Sequence, residues 1–151
     1  MRAAAGLFVV LLVVPIPAPA APTDIARVDD YIDAPRALFG RTLADLERTL
    51  GAPSSRRPRG DGAVVAWPGL EVSLSRSGRV TGVVVHVAGH ALPYGLTIGT
   101  PRARVEAVLG DAPEMSDERA FYPDADGFPN AVEFFFRDGR VRRIEWRFWA
   151  D

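Results

Sequence analysis

The chain contains no cysteine and no lysine. Without cysteine, disulfides, thiolate catalysis and zinc–thiolate sites are excluded, as is lipid attachment through a thioether. Without lysine, all 18 basic side chains are Arg, a bias with the look of genome composition that weakens any case for one particular Arg having been selected to recognise an anion. Neither sign of charge dominates: 18 Arg stand against 19 acids, a formal net charge of −1. The overall basic footprint expected of a nucleic-acid binder is therefore missing. Past the N-terminus there is no apolar run long enough to span a bilayer.

The N-terminus carries the clearest signal. Met1-Arg2-Ala3 makes a short positive start, Ala4 to Val14 is almost wholly apolar, and Ala18-Pro19-Ala20 places small residues where a signal peptidase reads them. A helix of about eleven residues reaches only about 16 Å, against a hydrocarbon core of roughly 30 Å, so residues 1–20 read as a cleaved secretory signal and not an anchor. Cleavage is expected after Ala20, because a cut one residue later would leave Pro22 at the scissile bond. The mature chain would then hold 17 Arg and 19 acids, a net charge of −2. Its length of about 130 residues suffices to bury roughly two thirds of the unfolded surface without a disulfide.

Two blocks of sequence recur in the same order about sixty residues apart. Phe39-Gly40-Arg41-Thr42-Leu43 through Leu50-Gly51-Ala52-Pro53 aligns with Ile98-Gly99-Thr100-Pro101-Arg102 through Leu109-Gly110, with Pro113 one residue late. Ser77-Gly78-Arg79-Val80 with Val83, Val85 and Val87 then matches Asp138-Gly139-Arg140-Val141 with Ile144, Trp146 and Phe148. Two colinear matches at nearly one offset point to duplication.

Each block reads physically. Leu43, Leu46 and Leu50, and likewise Val105, Val108 and Leu109, fall on one helical face. Thr100 is placed to cap the second helix with Pro101 in its first turn, and Gly51 and Gly110 permit the left-handed residue that ends a helix. These glycines follow helices, so they do not form a phosphate-binding loop. Afterwards the period becomes two: Leu70, Val72 and Leu74 lead to a Ser77-Gly78 turn, and Val132, Phe134 and Phe136 lead to Asp138-Gly139. Short strands are expected before each hairpin, at Ala63 to Trp67 and Arg119 to Tyr122. The expected fold is α+β, a tandem repeat of one helix and a three-stranded antiparallel sheet with helices on one sheet face. The divisions are 1–20 signal, 21–38 arm, 39–90 first repeat and 91–151 second repeat. Ile25, Val28, Tyr31 and Ile32 have roughly helical spacing, and this arm is expected to be partly ordered.

The apolar-Gly entry, the helix closed by Leu-Gly and a nearby Pro, and the Asp/Ser-Gly-Arg-Val hairpin resemble the SmpA/OmlA (BamE) domain and the half-domains of the β-lactamase inhibitory protein fold. The resemblance covers Phe39 to Val87 and Tyr94 to Trp149. It implies a binding domain of the cell envelope, in single copy in the outer-membrane assembly lipoprotein and in tandem in the inhibitor. The chain lacks the lipid-attachment Cys of the first and the stapling Cys residues of the second.

With helices over the face of Val132, Phe134, Ile144 and Trp146, the opposite face would present Glu133, Phe135, Arg143, Glu145, Arg147 and Trp149, subject to a bulge near Arg142. Aromatic residues mixed with Arg are the composition of an interface hot spot. The plainer alternative makes Phe135 and Trp149 filler between half-domains and the charges a solvated ladder. In the first repeat the same face would hold Glu71, Ser73, Val84 and His86. His86 and His90 have a helical metal spacing on what reads as a strand, and Asp124-Ala125-Asp126-Gly127 starts like a calcium loop without its later ligands, so no metal or other cofactor is expected. The segment Ser54 to Gly62, rich in Arg, reads as a mobile connection or as a contact for an anionic membrane surface. No nucleophile elbow or catalytic triad context is recognisable.

The expectation is a monomeric, non-catalytic protein-binding module, periplasmic or secreted, whose partner is another envelope or secreted protein. Its contact residues would be Phe135, Arg143, Arg147, Trp149, Glu133 and His86. A small periplasmic hydrolase or metal-dependent enzyme and a structural accessory of an envelope assembly are the alternatives.

Overall fold

A computed structural model describes residues 21–127 and 129–149; the expected signal peptide, residues 1–20, lies outside them. The described chain opens with α1 (Ile25–Phe39), which Asp24 starts by accepting a hydrogen bond from the Arg27 amide. Val28, Tyr31, Ile32 and Phe39 recur at helical spacing and are buried, so this segment is a core element and not the partly ordered arm its sequence suggested. It is tied to the sheet by a long-range hydrogen bond. Pro35 lacks an N–H, which leaves the carbonyl of Tyr31 without its usual partner one turn on, and the indole Nε1–H of Trp146 donates to that carbonyl at 2.9 Å. The Tyr31 hydroxyl in turn donates to the Leu96 carbonyl at 2.6 Å, and its ring stacks on Trp146 at 5.5 Å.

Helix α2 (Leu43–Leu50) follows, closed at its start by a reciprocal cap in which the Asp45 amide donates to Thr42 Oγ1 and the Thr42 amide to Asp45 Oδ2. Four strands then run as a meander: β1 (Ser55–Arg59), β2 (Gly62–Trp67), β3 (Leu70–Leu74) and β4 (Val80–Val85). After a single 3-10 turn at Pro93–Gly95 comes α3 (Arg102–Leu109), then β5 (Glu114–Ser116), β6 (Arg119–Pro123), β7 (Ala131–Arg137) and β8 (Arg140–Arg147). The α3 cap differs from expectation: Pro101 occupies the capping position, and Thr100 Oγ1 instead accepts from the Thr97 amide at 2.9 Å.

All eight strands belong to one antiparallel sheet in the order β1-β2-β3-β4-β8-β7-β6-β5. This corrects the expected repeat of a helix with a three-stranded sheet. The finding that overturns it is the pairing of β4 with β8, where Val83 faces Trp146 and Val85 faces Ile144, so that the strands of both halves join in a single sheet. Two outer strands carry no sequence signal of their own. All five residues of β1 are exposed and include Arg56-Arg57-Pro58-Arg59, and β5 is three exposed residues, so neither shows the apolar alternation that marks a half-buried strand. The Ser54 to Gly62 segment is accordingly a hairpin arm paired to β2 and not a mobile connection.

One side of the sheet is closed. Val65, Val72, Val83, Val85, Ile144, Trp146, Phe134 and Tyr122 form a single core with Val28, Tyr31, Ile32 and Leu46 of the first two helices and Val105 and Leu109 of α3. Tyr122 also ties down the end of α3, donating to the Gly110 carbonyl at 2.8 Å. Residues 21–24 are strapped over the same helix end, with Asp24 N–H to Leu109 O at 2.8 Å and Asp111 N–H to Ala21 O at 3.0 Å.

Candidate functional site

Because strand side chains alternate, the residues between the core positions emerge on the other side of the sheet, which no helix among the described residues covers. Across the centre of that face the register aligns Ala66, Glu71, Val84, Glu145, Glu133 and Phe121 in one row. A bulge opposite Phe135 and Phe136, at Arg142, keeps both Arg143 on this face and Val141 in the core.

Glu133 and Glu145 are direct cross-strand partners, a pairing that repels unless cations intervene. Three arginines do so. Arg147 donates to Glu133 Oε2 at 3.0 Å, Arg119 lies 3.0 Å from Glu133 Oε1, though off the hydrogen-bond line, and Arg143 lies 3.0 Å from Glu145. The guanidinium of Arg143 also covers the Phe135 ring, with its central carbon 3.9 Å from the centroid. Beneath this canopy Glu133 is only 3% exposed, although it faces away from the apolar core. A carboxylate so placed costs several kcal/mol in desolvation unless paired, which is what the two guanidiniums supply.

Beside the canopy the face sinks into a trough of about 620 Å³. Its floor is low where Ser73 on β3 faces Gly82 on β4, and Gly62 on β2, two residues beyond Ser73's partner Val64, extends it. A Cβ on Gly82 would stand 3.2 Å from the Trp146 carbonyl oxygen and 3.6 Å from Ser73 Cβ, tight against the sheet itself. Arg147 and Glu145 wall one side, and Arg59 with Asp61 the other. Among the described residues the side chains of Arg59 and Asp61 form no ion pair or hydrogen bond. The trough was not legible in the sequence, since its signal is small residues on separate strands that only folding brings near one another.

The expected contact residues do not all gather. Glu133, Phe135, Arg143 and Arg147 form the canopy just described. His86 stands off beyond β4, 3.9 Å from Glu71, which also pairs with Arg57 at 3.0 Å. Trp149 lies past the end of β8 and, though 58% exposed, lines a different cavity with Arg36, Arg41 and Arg79. His90, half-buried, packs edge-on against Phe39. Asp124 accepts from the Asp126 amide and from Asn130 within a turn. On the closed side, burial pushes the phenols of Tyr31 and Tyr122 far above their ordinary range.

Among the described residues no helix is long and apolar enough to cross a membrane. No protein-family model matches the sequence, and no curated protein matches it either. Two solved structures share the fold. An extracellular protein containing a SCP domain from Bacillus anthracis str. Ames superposes with a TM-score of 0.59 over 93% of this chain at 13% identity. The chain spans about half the length of that protein, 50%. A DUF4309 family protein, YjgB, from Bacillus subtilis subsp. subtilis str. 168 gives a TM-score of 0.50 at 14% identity, covering 82% of this chain and 99% of its own. At these identities the likeness is one of fold, and neither relative bears the SmpA/OmlA or β-lactamase inhibitor name that the Gly and Pro pattern resembles.

Proposed function

We propose that the chain is an exported, non-catalytic module of the bacterial cell envelope or its surroundings that binds another exported protein on its open sheet face. The observation that carries this reading is the juxtaposition of the Phe135–Arg143 pair and the Arg-walled trough on a sheet face that no helix among the described residues covers. A polar partner side chain would fill the trough, with a carboxylate meeting Arg59, whose guanidinium has no ion-pair partner among the described residues. Each arginine of the canopy is ion-paired, Arg119 with Glu114 as well as with Glu133, which suits a recognition surface better than a reacting centre. Export is supported by the signal-like residues 1–20 and by the extracellular nature of one protein of the same fold. A monomer is supported by the outer edge strand β1, whose Arg-Arg-Pro-Arg sequence discourages pairing with a second sheet.

The test is capture from an envelope or culture-fluid extract with the purified mature chain. A stoichiometric protein partner should be retained by the wild type, lost on Phe135→Ala and on trough-filling Ser73→Trp, and kept by Arg104→Ala on the exposed side of α3. Retention unchanged by both face variants would overturn the reading.

A further inference from the structure

Just beyond the Arg147 end of β8, Arg36, Arg41, Arg79, Val80 and Trp149 line one cavity of about 110 Å³. The backbone draws these residues together. Arg36 sits in the last turn of α1, where its guanidinium lies 4.2 Å over the Phe148 ring. Arg41 leads into α2, and its carbonyl accepts from the Val80 amide at 2.9 Å while Thr42 bridges to Arg79. Three separate stretches of chain thus bring cations to one concavity. The side chains of Arg41 and Arg79 have no acid or acceptor among the described residues.

We propose that this cavity is a second binding site, distinct from the open face, for a small oxyanion group, a carboxylate or a phosphate. Its volume equals that of about three to four waters, the scale of one such group. Guanidinium forks match the oxygens of both groups in geometry and charge. The like charges of Arg41 and Arg79 repel, and a bound anion would relieve this. Trp149 supplies an aromatic wall at the mouth, able to lie against whatever organic part the anion carries.

The exposed position of Trp149 gives a direct readout. It is 58% exposed, whereas Trp67 and Trp146 are 7% and 1%, so quenching of indole emission by solutes reports mainly on Trp149. Iodide should quench the wild type about two- to threefold more steeply than the Arg41→Gln/Arg79→Gln double variant, because the two cations concentrate the anion at the indole. Neutral acrylamide should quench both alike, which controls for folding and exposure. Millimolar inorganic phosphate or acetate, against chloride at equal ionic strength, should cut the iodide slope of the wild type to that of the variant. The more effective of the two identifies the oxyanion, and vesicles of phosphatidylglycerol compared with phosphatidylcholine tell a lipid headgroup from a free solute. Equal iodide slopes in wild type and variant, or slopes that neither phosphate, acetate nor anionic vesicles alter, would overturn the proposal.

Discussion

Removing the arginines that shield Glu133 tests whether the open face is held by its charges or only decorated by them. Arg147 and Arg119 are themselves 61% and 48% exposed, so either lost alone leaves Glu133 one cation and should cost about 0.5–1 kcal/mol, the range of exposed pairs. With both replaced by Ala, a carboxylate that is 3% exposed in the wild type faces Glu145 across the strands without a counter-charge. Stripping a buried ion of its partners costs about 3–5 kcal/mol, and water entering where the two half-exposed guanidiniums lay reduces this to about 2–3 kcal/mol. The double variant should therefore lose about 1 kcal/mol more than the sum of the singles. Urea unfolding followed by circular dichroism measures each step. The same set built on Glu133→Gln should be additive and mild, since a neutral amide needs no cation. Additive losses with Glu133 present, or an equally large double loss on the Glu133→Gln background, would refute the argument.

Three further outcomes follow from the closed side. Tyr31→Phe deletes the hydroxyl that donates to the buried Leu96 carbonyl and should cost about 1–2 kcal/mol in the same assay, with Trp146 still stacked. Gly110→Ala puts a Cβ 2.1 Å from the Pro22 carbonyl oxygen at a φ of +76°, so it should release the strap and speed hydrogen exchange at the Asp24 and Asp111 amides, with α1 exchange less affected. In alkali the sign is set by tyrosine: burial raises the folded-state values of Tyr31 and Tyr122 above an unfolded value of about 10, so their contribution is complete below that pH and is lost as pH rises above it. The loss should approach about 2.7 kcal/mol per pH unit for the pair. The chain has no lysine to titrate here, and the remaining phenol, Tyr94, is also raised, by its hydrogen bond to the Asp30 carboxylate. Stability unchanged between about pH 9 and 11, or no shallower slope in Tyr31→Phe, would contradict it.

Local periodicity located most of the elements but not their assembly. The helical spacing of Leu43, Leu46 and Leu50 and of Val105, Val108 and Leu109 corresponds to α2 and α3, and the Asp138-Gly139 hairpin adopts the positive φ angles of 52° and 69° that such a turn requires. The alternation along β7 and β8 likewise put Phe135 and Arg143 on the face away from the core, where the register sets them opposite one another. Chemistry visible within a few residues decided these features, because hydrogen bonds and packing of neighbouring positions are enough to specify them.

Everything that joins distant residues waited for the tertiary structure. Whether β4 would meet β8 depends on a non-local pairing that leaves no local trace, and it turned two expected small sheets into one of eight strands. The roughly helical spacing of Ile25, Val28, Tyr31 and Ile32 read as a partly ordered arm, whereas its place in the core as a helix rests on a carbonyl freed by Pro35 and claimed by Trp146, a residue 115 positions from Tyr31. The trough at Gly62, Ser73 and Gly82 and the arginines around Trp149 are of the same kind. A hollow or a cation cluster belongs to no single stretch of chain, so it exists only once packing has fixed which stretches lie side by side.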